Sequence, residues 1–314
     1  MVVESLEVVV SLVVLAVAGD QFVIGASRVA AAFRVRPIVV GAVIGGLGAS
    51  LPALLVSAVA SVRGDYQIAV GNLVGSIIAN ISLGLAIAAV IAPVRVDSRT
   101  VRREAPVSVA AVLLFAVMVP GGIGMVKGFG LLVGLVLGLG TMLLNAQRGT
   151  RRDELAHEVT DFFEGTRHRP RPETVRAVLG LALMMAGSEL LVRSASALAG
   201  RLGVGQEFIG LTVVAVGTSA PVVAIAVQAA RRGDPDLVVG NVLGSNLFVA
   251  LAGGSLVGFL HHGPAPGSAA GPVWMMAGIV LASWGFMARG SLVTRWEASA
   301  LIAAYAATLL LAPR

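Results

Sequence analysis

Hydroxyl and amide side chains recur in four short segments that interrupt long apolar stretches. Two segments carry serine or threonine just before a proline, and two carry asparagine followed by glycine and serine. Proline removes a backbone donor and crowds the preceding turn, so we expect both proline-containing helices to break and to free carbonyl oxygens. Carbonyl, hydroxyl and amide oxygens can together replace the hydration shell of an ion. The segments are 48–52, 71–76, 217–221 and 240–246.

The four segments form two sets that are related by one offset of 169 positions. The offset places Ser50 on Ser219, Asn72 on Asn241 and Ser76 on Ser245 without a gap. An internal repeat of membrane helices is typical of secondary transporters, whose binding site lies between the repeats at the bilayer midplane. The sequence therefore predicts a transport site built from both halves of the chain.

The composition requires these segments to lie in a membrane protein. Of 314 residues, 57% are hydrophobic and 13% are charged, and the mean hydropathy is +0.91. Soluble domains average about 25% charged residues, so this chain has too little polar surface for a soluble particle and is too apolar to be disordered. The absence of cysteine excludes disulfides and thiolate chemistry. No hydrolase or phosphate-loop motif occurs, so we do not expect an enzyme.

Ten apolar stretches are candidates for membrane spans, each of which needs about 20 residues. We predict an all-α integral membrane protein with ten transmembrane helices, arranged as five-helix repeats at 1–146 and 175–314. A charged linker at 147–174 separates them. Five spans per repeat give the second repeat the opposite orientation, so the repeats are inverted. The stretches are about 6–27, 37–60, 66–93, 106–120, 125–146, 175–199, 205–230, 236–260, 271–288 and 296–312.

Basic residues predict how the chain is oriented in a cell membrane. Most of the 23 Lys and Arg fall in alternate loops, and positive residues collect on the cytoplasmic side. This rule places both termini outside the cell and the linker in the cytoplasm. It also accounts for the net charge of +6. We therefore expect the lipid bilayer, and no nucleic acid, as the partner of this basic chain.

The paired segments resemble the two alpha-repeats of the cation/calcium exchanger superfamily, to which sodium/calcium exchangers belong. The resemblance is closest in the second repeat, where residues 210–221 and 240–248 follow the family pattern. It implies ten helices in two inverted repeats and exchange of calcium or another cation against sodium or protons. In the mechanism that it implies, outer helix pairs slide over a core of the second, third, seventh and eighth spans.

The resemblance also implies which residues bind the transported ion. A glutamate in each repeat is a principal ligand in the family, and these two positions hold Ala53 and Val222 here. Hydroxyl, amide and carbonyl oxygens remain at the other matching positions. The candidate cation ligands are Ser50, Ser76, Asn80, Thr218, Ser219 and Ser245, with the backbone carbonyls of Gly46 and Ala215.

The loss of both carboxylates changes which ion fits the site. Calcium takes about 6–8 oxygen ligands, its affinity depends on their charge, and a buried ion without compensating charge costs several kcal/mol. Neutral ligands therefore predict weak or absent calcium transport. A monovalent ion such as Na⁺ or H⁺, or a polar neutral or anionic solute, loses less on entering. We expect no cofactor, only a small inorganic ion as substrate.

Differences between the repeats support a second hypothesis. The first repeat has Ala49 and Ile77 where the second keeps Thr218 and Asn246. The second repeat in turn has Val249 where the first keeps Asn80. Such losses are also expected of an exchanger-like scaffold or regulatory membrane protein that no longer transports. Polar side chains around a hydrated cavity would favour transport, and valine or isoleucine closing that cavity would favour the scaffold.

Two acidic residues within apolar spans, Asp20 and Glu189, are related by the same offset. Intramembrane acids are candidates for proton or cation coupling. The alternative is a structural role in which Gln21 or Arg193 satisfies them locally.

A stripe of small residues lies on the fifth span, at Gly130, Gly134 and Gly138. Small residues let helices approach closely, either within the protomer or across a dimer. We therefore expect a monomer or a weak homodimer.

Overall fold

The structure is a computed structural model that describes residues 2–32, 46–95, 104–147, 170–233, 235–262, 270–290 and 292–311. In chain order its elements are α1 (Val2–Ala32), α2 (Gly46–Arg63), α3 (Tyr66–Ala79), α4 (Ala86–Ile91), β1 (Val94–Arg95), α5 (Ala105–Met118), α6 (Met125–Gln147), α7 (Pro170–Leu202), α8 (Gln206–Ile209), α9 (Ala215–Arg232), α10 (Pro235–Leu247), α11 (Gly254–Leu260), α12 (Ala270–Gly290), β2 (Leu292–Val293) and α13 (Arg295–Leu311). Turns of π-helix connect α3 to α4 (Asn80–Leu85), α8 to α9 (Gly210–Val214) and α10 to α11 (Phe248–Gly253).

The helices confirm the prediction of an all-α membrane protein. Seven helical stretches in the described part of the chain are long and apolar enough to cross a membrane. The two strands are only two residues long, and they pair antiparallel with Val94 opposite Val293. This ladder joins the loop after α4 to the loop between α12 and α13. It adds a local link and leaves the helical architecture unchanged.

Helix α7 begins within the segment that the sequence predicts as a charged linker. We predicted a charged segment over 147–174, whereas α7 begins at Pro170. Proline is tolerated in the first turn of a helix because its missing N–H would have no partner there. Pro170 and Pro172 therefore begin the helix and do not delay it. Residues 148–169 lie outside the described residues.

Burial separates central helices from peripheral ones. In Tyr66–Ile91 and in Pro235–Leu260, 78% of an apolar 18-residue stretch is buried inside the protein. The corresponding share in Met125–Met142 is 17%. The two buried stretches are α3 to α4 and α10 to α11, and both pack against α2 and α9. These four stretches, predicted as the second, third, seventh and eighth spans, form the centre of the described structure.

Helices α1 and α7 form a closely packed antiparallel pair at one side of this centre. Arg28 contacts Glu173 at one end (2.9 Å), and Glu4 contacts Arg201 at the other (2.7 Å). The backbones also touch, because a Cβ on Gly180 would lie 2.7 Å from the amide nitrogen of Phe22. Only glycine leaves room for this approach, so the pair is held by direct contact between its backbones.

The helices that contain the motif prolines are continuous, so the prediction that they break is wrong. Pro52 lies inside α2 and Pro221 lies inside α9. A proline ring crowds the carbonyl four residues earlier. That residue is Gly48 in one helix and Gly217 in the other. Glycine backbone can tilt the crowded carbonyl aside without a side-chain clash, so each helix passes through its proline.

The sequence offset reappears in the boundaries of these two helices. Arg63 and Arg232, the last residues of the two helices, are related by 169 residues. Each is followed by a glycine with positive φ, 83° at Gly64 and 75° at Gly233. This left-handed conformation ends a helix and favours glycine because an added Cβ would be strained. The two proline-containing helices thus end alike.

Candidate functional site

Asn72 on α3 is the centre of a buried hydrogen-bond network. Its Nδ2 donates to the carbonyl oxygen of Ala53 (2.9 Å) and to Ser57 Oγ (2.8 Å) on α2. Its Oδ1 accepts from Thr218 Oγ1 on α9 (2.8 Å) and from Ser76 Oγ on α3 (3.5 Å). The Ser76 and Thr218 hydroxyls are themselves 3.3 Å apart. One amide therefore connects three central helices, from both halves of the chain.

Two further contacts cross between the halves. Asn80 Nδ2 donates to Asn246 Oδ1 at 2.9 Å, where the π-helical turn after α3 meets α10. Ser50 Oγ on α2 donates to the carbonyl oxygen of Ser245 on α10 at 3.4 Å. Both pairs are buried among apolar side chains. The centre of the fold is thus lined by neutral polar groups that face one another across the two halves.

Among the buried oxygens of the described residues that have no hydrogen-bond partner, three belong to predicted ligands. They are Asn80 Oδ1, Ser219 Oγ and Ser245 Oγ. Their residues are exposed by only 1%, 2% and 0%. A buried polar atom without a partner costs free energy, and native proteins satisfy such atoms with water or an ion. These oxygens have the chemistry of ligands for a small polar guest.

The structure brings most of the predicted ligands together. Ser76 contacts Thr218, and Ser50 contacts the Ser245 backbone. The Ala215 carbonyl oxygen lies 3.3 Å from Thr218 Oγ1, so it borders the same network. Gly46 is the first residue of α2 and borders the part of the chain that the structure does not describe.

Sequence reasoning missed three members of the site as candidate functional residues. Asn72 stood out only as part of a glycine-asparagine motif, Asn246 as part of glycine-serine-asparagine, and Ser57 carried no signal. The constant offset could have singled out Asn72, because Asn241 occupies the related position. Its bonds to Ala53 and Thr218 could not be inferred, because they join residues on different helices.

At the two positions where the resemblance predicts a glutamate ligand, this chain contributes only backbone oxygens to the network. Ala53 and Val222 are 2% and 1% exposed. The Ala53 carbonyl accepts from Asn72, and the Val222 carbonyl accepts from Asn241 Nδ2 at 2.9 Å. In the described ranges no group of three or more His, Asp or Glu is placed to hold a metal ion. The side chains of the described hydrogen-bond network are serine, threonine and asparagine, which carry no charge.

The two intramembrane acids lie outside this network. Glu189 on α7 forms an ion pair with Arg63 at the end of α2, so the prediction that Arg193 satisfies it is wrong. Arg63 reaches it because α2 packs directly against α7. Asp20 on α1 is exposed on the surface of the protein. Gln21 Oε1 accepts a hydrogen bond from Arg176 Nε at 2.8 Å. This side-chain oxygen therefore binds a residue of α7.

The glycine stripe on α6 packs within the protomer. A Cβ on Gly130 would meet Met118, one on Gly134 would meet Leu114, and one on Gly138 would meet Leu247. Close packing inside the chain therefore accounts for the stripe, and the oligomeric state stays a prediction.

Comparison with known proteins places this architecture among ion exchangers. Residues 6–144 and 173–312 match the family described as sodium/calcium exchanger protein. The putative antiporter CaxA of Alkalimonas amylolytica is 37% identical over 256 residues, which cover 80% of this chain and 79% of that protein. The sodium/calcium exchanger MaX1 of Methanosarcina acetivorans is 28% identical, with 98% of this chain and 97% of that protein covered.

Solved structures of one exchanger share the whole fold. A structure of the sodium-calcium exchanger NCX_Mj, soaked with Na⁺ and Sr²⁺, is similar with a TM-score of 0.68 and 28% sequence identity. The match covers 100% of both chains. The likeness therefore includes the central helices as well as the peripheral ones.

Proposed function

Since the chain belongs to the sodium/calcium exchanger protein family, we propose that it exchanges a monovalent cation through a neutral site between its two halves. Members of this family are membrane transporters, so the protein is a cation antiporter of this type and not an enzyme. We infer its ion and mechanism from the side chains at the centre of the fold.

We infer an architecture of ten spans in two inverted five-helix repeats, with both termini outside. The matching C-terminal ends of α2 and α9 support the repeat. In this arrangement the α1–α7 pair slides over the central helices and exposes the site to each side of the membrane in turn. The glycine contacts between α1 and α7 suit movement as one body, because the two backbones touch directly.

The observation that carries the proposal is the set of buried neutral oxygens without hydrogen-bond partners. They belong to Asn80, Ser219 and Ser245, and the hydroxyls of Ser76 and Thr218 lie in the adjoining network. A monovalent cation needs fewer charged ligands than a divalent one to repay its lost hydration. Sodium is accordingly the substrate that this set suits best.

Calcium fits the same set poorly. Its affinity rises with the number of charged ligands, and the described site supplies none. The alanine and valine at positions 53 and 222 place methyl groups where a carboxylate would balance the second charge. We therefore expect calcium exchange to be weak or absent.

The test is ion flux into proteoliposomes. Sodium-22 and calcium-45 uptake would be measured for the wild type, for the Ala53→Glu/Val222→Glu double variant, and for a matched Ala53→Gln/Val222→Gln control. We expect sodium exchange by the wild type and calcium uptake only in the glutamate variant. The glutamine control has nearly the same size without charge, so it separates electrostatics from packing.

Two results would contradict the proposal. Calcium uptake by the wild type above empty vesicles would show that neutral ligands suffice. Absence of flux from the wild type and both variants, in protein shown to be folded, would favour the non-transporting scaffold.

A further inference from the structure

We propose that Asn72 is a positioning residue that makes the central site selective for cations. It directs the protons of the Thr218 and Ser76 hydroxyls into its own network, so that their lone pairs are left for the ion. The inference rests on the proposed function, because it explains how that site distinguishes a cation from a neutral or anionic solute.

The orientation of the Asn72 amide is fixed by a neighbouring group that can accept a hydrogen bond but cannot donate one. The Ala53 backbone carbonyl can only accept a hydrogen bond, and it lies 2.9 Å from Nδ2. Ser57 Oγ lies 2.8 Å from the same nitrogen and gives its own proton to the Ala69 carbonyl at 3.0 Å. Both contacts require the NH₂ group to face α2. The oxygen of the amide therefore faces α9.

The amide oxygen then dictates where the hydroxyl protons lie. Oδ1 can only accept, and a hydroxyl has a single proton. Thr218 donates that proton to Asn72 at 2.8 Å, because the other acceptor, the Ala215 carbonyl, is more distant at 3.3 Å. Ser76 donates either to Asn72 at 3.5 Å or to Thr218 at 3.3 Å. In both cases the protons of the two hydroxyls point into the network.

Because these residues are buried, their hydrogen bonds determine whether the site binds a cation or an anion. Asn72 is 0% exposed, and Ser76 and Thr218 are 1% exposed, so bulk water does not compete for these bonds. An anion would need the hydroxyl protons as donors, and they are already used. A cation needs lone pairs, and both oxygens retain them. The site thus binds cations without any carboxylate among the described residues.

The related asparagine provides a matched control within the same chain. Asn241 Nδ2 donates to the Val222 carbonyl at 2.9 Å, as Asn72 does to Ala53. The positions related to Ser57 and Thr218 hold Ala226 and Ala49, which have no hydroxyl. Asn241 therefore shares the backbone contact of Asn72 without the two hydroxyl contacts that α2 and α9 supply.

The experiment compares Asn72→Leu with Asn241→Leu in proteoliposomes. The KM and maximal rate for sodium-22 exchange would be measured, together with sodium-dependent thermal stabilisation of the purified protein. We expect Asn72→Leu to raise the sodium KM about tenfold with little change in maximal rate, because ligand orientation and not the transport cycle is altered. Asn241→Leu should stay within about twofold of the wild type.

A milder variant keeps the proposal testable if Asn72→Leu fails to fold. Ser57→Ala removes one acceptor that holds the Asn72 amide, and the chain already tolerates Ala226 at the related position. We expect this variant to raise the sodium KM about threefold. An unchanged KM in Ser57→Ala, or equal shifts in the two leucine variants, would overturn the role of Asn72. Absence of sodium exchange and stabilisation in the wild type would instead refute the proposed function.

Discussion

Two regions related by the sequence offset differ in their buried side chains, because one holds a pair of amides and the other holds apolar residues. On one side, Asn80 donates to Asn246 at 2.9 Å. On the other side, the related residues are Val249 and Ile77, which are 1% and 0% exposed. A lone asparagine facing valine would bury an amide without a partner. The comparison indicates that this amide pair is kept or replaced as a unit, because either amide alone would lose its partner.

The same contrast separates Asn72 from Asn241. Asn72 contacts a carbonyl and three hydroxyls, whereas Ala226 and Ala49 stand at the positions related to Ser57 and Thr218. Two of the candidate ligands, Ser76 and Thr218, thus contact one of the two related asparagines. This hydrogen-bond network is asymmetric even though its helices follow one repeat.

The largest effect should come from breaking the asparagine pair. Asn80→Val leaves the buried Asn246 amide without its partner, so we expect a loss of about 1–3 kcal/mol in stability. The double variant Asn80→Val/Asn246→Ile copies Val249 and Ile77 and should recover most of that loss. Thermal unfolding in sodium-free detergent, analysed as a double-mutant cycle, would check this. A double variant as unstable as the single one would refute the paired interpretation.

A smaller effect should follow from removing one hydroxyl at Asn72. Thr218→Ala introduces the residue type that the first repeat has at the related position, Ala49. It also removes the 2.8 Å hydrogen bond to Asn72 Oδ1. We expect a cost of about 1 kcal/mol, because Ser76 remains as a second donor. Thr218→Ser keeps the hydroxyl and should restore the thermal midpoint. Equal losses in the two variants would attribute the effect to the methyl group and not to the hydrogen bond.

The smallest effect concerns the two acids. Glu189 pairs with Arg63 and is half exposed, so Glu189→Gln should cost less than about 1 kcal/mol. Asp20 is exposed, and Asp20→Asn should leave the thermal midpoint unchanged. Sodium-22 flux measured across a range of pH provides the second readout. A pH profile altered by either substitution would assign that acid a coupling role in place of a structural one.

Much of this architecture could be predicted from the sequence. The hydropathy pattern located the helical stretches, and the offset that relates Ser50 to Ser219 anticipated the matching ends of α2 and α9. The motif residues Ser76 and Thr218, which the sequence proposes as ligands, lie 3.3 Å apart, and their role as ligands stays a prediction. The predicted breaks at Pro52 and Pro221 were wrong because local propensity ignores the glycine that absorbs the strain.

The sequence by itself determined that the chain enters a membrane, that its halves repeat, and that Ala53 and Val222 supply no charge to the site. These properties follow from residue types and spacing, which are the same in every conformation of the chain. Only the tertiary structure decided that Asn72 joins Ala53 to Thr218 and that Glu189 meets Arg63. Such contacts join residues far apart in the chain, and they depend on how the helices pack against one another.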